Sequence, residues 1–334
     1  MKFRTSAKLA AGLLATTLLA TACGPSGSGA DTTSPAAEGP VEIGIVQYVA
    51  HPSLDATAKG FKQALADAGY TGDKVVYDEQ NAQGDAATNT SIAGKFASDG
   101  KDLVLAIATP SAQAAYNAVA ETPILFTAVT DPVSADLVES LEAPGGNATG
   151  TSDANPVKEQ LQLVKELDPE AKSVGIVYSS GEVNSEVQVK AAKEAAAELG
   201  LEIKETAIST SGEVQQAAQS LDVDAFYVPT DNNVVSALET LLQVAEDKKI
   251  LTIAAEGDSV ERGAVATYGI SYEKLGYQTG QMAVKILKGE ATPASMPVET
   301  QSELQLYVNT AAAGRMGVTL PAGFADGADV VFEK

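Results

Sequence analysis

Several residue types are nearly missing from this chain of 334 residues, and each scarcity excludes a kind of site. The single cysteine, Cys23, excludes a disulfide within the chain, so packing alone must stabilise the fold. His51 is the only histidine and Cys23 the only cysteine, so the chain lacks the several Cys and His ligands of an ordinary zinc site. No GxSxG, HExxH, CxxC or P-loop pattern supplies a catalytic centre. We therefore predict no metal, no cofactor and no enzymatic activity.

Positive charge is also scarce. The chain has 22 Lys and Arg residues against 44 Asp and Glu residues, which gives a formal net charge of -22 at pH 7. Nucleic acids and anionic lipid surfaces both require a basic surface, so neither is an expected partner. We interpret the negative net charge as a contribution to solubility outside the cell.

The N-terminus has the pattern of an export signal. A basic start is followed by the apolar run "LAAGLLATTLLATA", which is short for a membrane span, and by small residues. The sequence Ala20-Thr21-Ala22-Cys23 resembles a bacterial lipobox, although a lipobox usually carries Leu where Ala20 stands here. The resemblance implies a lipoprotein signal peptide over residues 1–22 and a membrane anchor through lipid on Cys23.

Residues 23–40 are rich in Gly, Ser, Pro and Ala and contain almost no large apolar residue. Such a segment cannot bury a core and is predicted to be a flexible tether. About 290 residues remain from Val41, enough for two modest domains.

From Val41 onward, short apolar runs alternate with longer segments of helical periodicity. The strand-like "VEIGIVQY" precedes the amphipathic "SLDATAKGFKQALADAGY", and the alternation continues through the first half. Three of these units recur about 130 residues later in the same order, beginning with "KSVGIVYSS". The pattern predicts an α/β fold of two similar lobes with parallel sheets, joined by the glycine- and asparagine-rich stretch 142–156.

A polar cluster follows each predicted strand and begins the next helix. The clusters are "QYVAHPS", "ATPSAQ", "AVTDPVS", "VYSSGEVNS", "VPTDNN" and "AAEGDS". Parallel sheets bind ligands beyond the carboxyl ends of their strands, and helix starts carry free N–H groups suited to an anion. Any one of these residues could merely cap a helix, but six clusters from two lobes indicate a shared ligand site.

Several long stretches resemble one family. "GIVQYVAHPSLDATAKGF", "FTAVTDPVSADLVESLEAPGGNATGTSD", "YVPTDNNVVSALETLLQVAEDKKI" and "DSVERGAVATYGISYEKLGYQTGQMAVKILKGE" are similar to the substrate-binding proteins of ABC transporters, in particular the tryptophan- and tyrosine-type uptake lipoproteins. The resemblance implies a type I periplasmic-binding architecture with two Rossmann-like lobes and three hinge crossovers. It also implies an extracytoplasmic monomer that delivers a small molecule to an ABC permease.

In this architecture each lobe is expected to consist of two separate segments of the chain. The first lobe is predicted to comprise residues 41–152 with the helix around 272–289. The second lobe is predicted to comprise residues 153–270 with the C-terminal segment 291–334.

An amino acid, preferably an aromatic one, is the expected ligand. Thr109, Ser111 and Thr130 are candidates for its carboxylate, while Asp131, Asp153, Asp231 and Glu256 are equal candidates for its ammonium group. Because tryptophan is absent, Tyr48 is the expected stacking partner of an aromatic side chain. The full set of predicted ligand-binding residues is Tyr48, His51, Thr109, Ser111, Thr130, Asp131, Asp153, Asn184, Thr230, Asp231, Asn232 and Glu256.

His51 lies between a strand and a helix on the side of the predicted cleft. Ligand contact and a capping or packing role are both open for it, whereas catalysis lacks a nucleophile. Alternative functions are also open: a sugar- or nucleoside-binding protein of the same fold, or a sensory receptor subunit. The sugar alternative is weakened because only Arg262 and Arg315 follow Arg4, and neither belongs to a cleft cluster.

Overall fold

The computed structural model describes residues 39–334 of the chain. The predicted signal peptide, the anchor at Cys23 and nearly all of the predicted tether lie outside the described residues. The described part contains two sheets, each covered by helices and each belonging to one lobe.

The first lobe is built on a six-stranded sheet in which every pairing is parallel. In spatial order the strands are β11 (Glu299–Thr300), β5 (Ala148–Ser152), β4 (Ile124–Val129), β3 (Leu103–Ile107), β1 (Val41–Gln47) and β2 (Val75–Asn81). Its helices are α1 (Pro52–Asp67), α2 (Ala86–Asp99), α3 (Thr109–Ala118) and α10 (Tyr272–Leu287).

The second lobe repeats this plan on a seven-stranded sheet. In spatial order the strands are β13 (Val330–Phe332), β12 (Gln305–Asn309), β10 (Ala266–Gly269), β9 (Leu251–Ala254), β8 (Ala225–Val228), β6 (Ser173–Ser179) and β7 (Glu202–Ile208). Only the β10–β12 pair is antiparallel. The helices are α4 (Val157–Leu167), α5 (Val183–Leu199), α6 (Val214–Ser220), α7 (Asn232–Ser236), α8 (Leu238–Lys248), α9 (Gly257–Arg262) and α11 (Thr310–Arg315).

Local sequence accounts for these elements. The central strands β3 and β8 are apolar over their whole length, β4 is apolar except for Thr127, and all three are fully buried, as expected for strands covered by helices on both faces. Helices α2 and α5 end at Gly100 and Gly200, which adopt φ of 68° and 69°. This left-handed conformation favours glycine, which ends a helix in each lobe.

The chain passes between the lobes three times. It leaves the first sheet after β5 and enters α4 through residues 153–156, and it returns from β10 to α10 through residues 270–271. It crosses finally from β11 to β12 through residues 301–304. The predicted α/β fold with two parallel-sheet lobes and three crossovers is therefore confirmed.

Two details of the predicted organisation are wrong. The stretch 142–156 is not simply a linker, because β5 within it is a fully buried strand of the first sheet. Its sequence "ATGTS" has no large apolar residue, yet Thr149 donates to the Met296 carbonyl at 2.7 Å and Thr151 lies 3.0 Å from the Thr127 hydroxyl. The segment 291–334 does not belong wholly to the second lobe, since β11 pairs with β5.

Close contact between α1 and α10 attaches the returning helix to the first lobe. A Cβ atom built on Gly60 would lie 2.0 Å from the carbonyl oxygen of Glu273, and one built on Gly276 would lie 1.9 Å from that of Thr57. Both helices therefore need glycine where their backbones meet.

We expect Gly60→Ala to lower the free energy of unfolding by about 2–3 kcal/mol, because its methyl group would force the two backbones apart. Gly94→Ala is the matched control: Gly94 lies in α2 with open space around it. There the gain in helix propensity should stabilise the protein by about 0.5–1 kcal/mol. Urea unfolding of both variants checks the pair, and equal effects would contradict the packing argument.

Candidate ligand site

A cavity lies between the two lobes, at the carboxyl ends of the strands of both sheets. It contains about 310 Å³ of space free of protein atoms, part of it open to solvent. Its lining residues come from both lobes and from the first crossover: His51, Ser53, Leu54, Ala108, Ala128, Asp153, Asn184, Thr230, Asn232, Val235, Glu256 and Tyr272.

Direct contacts join the lobes around this cavity. The hydroxyl of Ser53 at the start of α1 donates to Oε2 of Glu256 in the second lobe at 2.9 Å. The hydroxyls of Thr130 and Thr230 are 3.4 Å apart across the cleft. Val183 of the second lobe packs against the apolar core of the first. The lobes are therefore in contact around the cavity.

Asp153 is the carboxylate with the most unused hydrogen-bonding capacity in the cavity. It lies on the first crossover, is 3% exposed, and accepts only two side-chain hydroxyls, from Thr130 at 3.1 Å and from Tyr272 at 2.6 Å. Burial raises its pKa above the usual aspartate range, and the two hydroxyls partly oppose this. A cation beside Asp153 would relieve the cost of burying its charge.

The other three predicted anions are more fully occupied. Glu256 lines the cavity but caps α9, accepting the backbone N–H groups of Asp258 and Ser259 besides Ser53. Burial and the neighbouring Asp258 charge raise the pKa of Glu256.

Asp231 and Asp131 do not line the cavity. Asp231 caps α7 and accepts from Ser179 and Ser185, while Asp131 accepts two backbone N–H groups in the turn after β4. Both carboxylates are satisfied by groups of their own lobe.

His51 lines the cavity as the residue before α1 and makes no side-chain cap. Its Nδ1 atom is buried without a hydrogen-bond partner. Burial, assisted by the charge of Arg262 and opposed by the Asn232 amide, lowers the pKa of His51 to about 3. The ring is therefore neutral at physiological pH and offers a hydrogen-bonding nitrogen without charge.

Four other predicted residues lie next to the cavity rather than on its wall. Thr109 begins α3 directly after the cavity-lining Ala108, and its buried hydroxyl has no partner. Ser111 donates to Asn89 at 3.0 Å, and Thr130 contacts Asp153. Tyr48 is buried and donates its phenol proton to the Gly84 carbonyl. The cavity thus brings together six predicted residues, namely His51, Asp153, Asn184, Thr230, Asn232 and Glu256.

Sequence reasoning missed six of the lining residues, namely Ser53, Leu54, Ala108, Ala128, Val235 and Tyr272. Ser53 could have been found from its place in the "QYVAHPS" cluster, but Tyr272 reaches the cavity only because α10 returns to the first lobe. Ala108 and Ala128 carry no sequence signal; they are notable for their backbone, with φ of 79° and 54°.

No lysine or arginine lines the cavity, and residues 39–334 contain no group of acidic, His or Cys side chains that could hold a metal ion. The site therefore has two carboxylates, neutral donors and acceptors, and an apolar wall. This combination suits a small molecule that carries a cationic group.

Comparison with known proteins identifies the family. The family model described as ABC transporter substrate binding protein matches residues 42–331. The chain belongs to this family. A tyrosine-binding protein of Clostridioides difficile is 52% identical over 270 residues, which cover 80% of this chain and 78% of the relative.

Two solved structures are also similar to this substrate-binding protein. One is an ABC domain from Streptococcus pneumoniae in complex with L-Trp, with a TM-score of 0.85 and 37% identity over 88% of this chain and 100% of that one. The other is the ligand-free, open structure of a substrate-binding protein with adhesive properties from Clostridium difficile. Its TM-score is 0.66 at 49% identity, over 88% of this chain and 99% of that one.

The more similar sequence therefore has the less similar structure. The structure with the lower TM-score is the one described as ligand-free and open. In this substrate-binding protein the Ser53–Glu256 hydrogen bond joins the two lobes across the cleft. Within residues 39–334, no helix is both long and apolar enough to cross a membrane.

The backbone of Ala108 is strained where it lines the cavity. Its φ of 79° and ψ of 153° lie in a region that is essentially restricted to glycine and costs about 1–3 kcal/mol for other residues. We expect Ala108→Gly to raise the free energy of unfolding by about 1 kcal/mol, since glycine's larger unfolded-state entropy offsets part of the relief.

Ala112→Gly in the interior of α3 is the matched control and should lower the free energy of unfolding by about 1 kcal/mol. Chemical denaturation of both variants measures the difference. A loss of stability in Ala108→Gly as large as in the control would show that Ala108 is unstrained.

Proposed function

We propose that this protein binds an aromatic amino acid between its lobes and delivers it to an ABC permease. It acts outside the cytoplasm, as a monomer attached to the membrane through lipid on Cys23, and it transforms nothing. The observation that carries the choice of ligand is Asp153, a buried carboxylate in a cavity without lysine or arginine. The ammonium group of an amino acid supplies the missing positive charge.

The carboxylate of the ligand requires donors that carry no charge. The start of α3 offers them, because Thr109 has a buried hydroxyl without a partner and the helix terminus carries free backbone N–H groups. Ala108 and Ala128, at the ends of β3 and β4, bring the backbone close to the ligand at this side of the cavity.

An aromatic side chain fits the apolar part of the lining. Leu54, Val235 and the ring of Tyr272 form that part, so Tyr272 replaces Tyr48 as the proposed aromatic partner. The tyrosine-binding relative and the L-Trp complex support the same ligand class.

Isothermal titration calorimetry of the body from Gly39, unfolded and refolded to remove any bound molecule, tests this function. The panel comprises L-tyrosine, L-tryptophan, L-phenylalanine, L-leucine, common sugars and nucleosides. Binding of one or more aromatic amino acids and of no sugar or nucleoside is expected. Binding of a sugar or nucleoside alone would overturn the proposed ligand.

The substitution Asp153→Asn should weaken binding of the aromatic amino acid by about a hundredfold or more, because the buried ammonium group loses its counter-charge. Asp73→Asn, which changes an exposed residue of the first lobe, is the matched control and should leave the affinity unchanged. Equal affinities of the two variants would show that the ammonium group binds elsewhere.

The affinity should also depend on pH. Burial raises the pKa of Asp153, and an ammonium ligand binds its ionised form, so binding releases a proton below that raised pKa. We therefore expect the affinity to fall as the pH is lowered through the raised pKa of Asp153, by at most about tenfold per pH unit for one proton, and to level off above that pKa for as long as the ligand's ammonium group keeps its proton. The neutral His51 contributes nothing in this range.

Titrations in two buffers of different ionisation enthalpy would measure the released proton. The Asp153→Asn variant should lose this pH dependence, because asparagine has no carboxyl group to titrate. An unchanged pH dependence in the variant would assign the proton to another group.

A further inference from the structure

Glu182 is a buried carboxylate of the second lobe that does not line the cavity. It directly precedes α5 and is 3% exposed. Its Oε2 atom accepts the side-chain nitrogen of Asn184 at 3.0 Å, that of Asn232 at 2.5 Å, and the backbone N–H of Asn232 at 3.2 Å. Both asparagines line the cavity, so one oxygen atom outside the site holds two amides that face it.

These contacts determine which way the Asn184 amide points. Besides Glu182, its nitrogen donates to the backbone carbonyl of Thr230 at 3.0 Å. A flipped amide would set its carbonyl oxygen against two oxygen acceptors, which is unfavourable. The carbonyl oxygen of Asn184 is therefore the atom left for other partners. It is buried and has none within the protein.

Asn184 and Asp153 both line the cavity, and a chain of contacts connects them. Asn184 donates to the Thr230 carbonyl, the Thr230 hydroxyl lies 3.4 Å from that of Thr130, and Thr130 donates to Asp153 at 3.1 Å. The cavity thus presents one carboxylate and one unpartnered amide oxygen. An ammonium group has three N–H donors and needs more than one acceptor when it is buried.

We infer that Glu182 is a positioning residue of the ligand site, which holds the Asn184 amide so that its carbonyl oxygen accepts a hydrogen bond from the ligand's ammonium group. This inference rests on the amino-acid ligand proposed above. It makes Asn184 a specificity-determining residue that favours amines over molecules of the same shape without a donor.

The neutral form of Glu182 suffices for this role. Burial, and then the charge of Asp231, raise the pKa of Glu182 above the usual glutamate range. The Oε2 atom of Glu182 accepts all three hydrogen bonds described above. Its Oε1 atom is contacted only by the Asn233 side-chain nitrogen at 3.5 Å and is free to carry a proton. Glutamine has the same shape with an amide nitrogen in place of Oε1, so Glu182→Gln should preserve the acceptor, whereas Glu182→Met removes it.

The test compares L-tyrosine with 3-(4-hydroxyphenyl)propionate, which lacks only the ammonium group, by calorimetry on the body from Gly39. The measured quantity is the ratio of the two affinities. In Glu182→Met and Asn184→Leu this ratio should fall by about tenfold or more. In the original protein the desamino analogue leaves the Asn184 carbonyl oxygen without a donor, and these variants remove or misplace that oxygen, so they no longer penalise the analogue. It should stay within about threefold of the original value in Glu182→Gln and in the matched control Glu186→Met, an exposed position of α5.

Each outcome separates the two proposals. If the original protein binds L-tyrosine no better than its desamino analogue, the proposed ligand and this inference both fail. If it prefers L-tyrosine but Asn184→Leu and Glu182→Met keep that preference, only this inference is overturned. A merely structural role of Glu182 would weaken both ligands equally and leave the ratio unchanged. Should Glu182→Met fail to fold, Glu182→Ala, which also removes the acceptor, takes its place beside Asn184→Leu: a ratio that falls in both supports the inference, and an unchanged ratio in Glu182→Ala overturns it.

Discussion

Closure of the two lobes removes carboxylates from water, and the site depends on how each of them is then satisfied. Glu256 and Asp231 accept hydroxyl and backbone N–H donors and cap the starts of α9 and α7, and Glu256 also joins the two lobes through Ser53. Asp153 accepts two side-chain hydroxyls, neither of which carries a positive charge. In the proposed function, the ammonium group of the ligand supplies that charge and thereby stabilises the bound protein.

Some polar residues of the second lobe do not line the cavity but orient the residues that do. Glu182 and Gln188 do not line the cavity, yet Glu182 holds two asparagines and Gln188 donates to the Thr230 hydroxyl at 2.6 Å while accepting its backbone N–H. Polar groups fixed in this way lose little conformational entropy when the ligand arrives. The second lobe is thereby a preorganised surface, against which the first lobe and the ligand close.

Hinge movement follows from the way in which the lobes are connected. Only three short crossovers join the two cores, and each sheet has its own apolar cluster. Few hydrogen bonds bridge the cleft, among them the Ser53–Glu256 contact, so opening breaks little besides the contacts around the ligand. The glycine contacts between α1 and α10 attach α10 to the first lobe, so the second connection between the lobes is limited to the short crossover that precedes this helix.

The sequence by itself determined the layers, the two-lobed repeat and the edge at which the ligand binds, because apolar periodicity and the polar clusters after strands are local properties. It also placed His51, Asn184 and Asn232 beside the cleft. It could not choose among four carboxylates, since Asp131, Asp153, Asp231 and Glu256 all follow strands in the same way. Only the tertiary structure distinguishes their surroundings, because the number of donors around a buried carboxylate depends on residues distant in the chain, such as Tyr272 at Asp153 and Ser53 at Glu256. The role of Glu182 was hidden for the same reason: its partners come from α5 and α7, which meet only in the folded lobe.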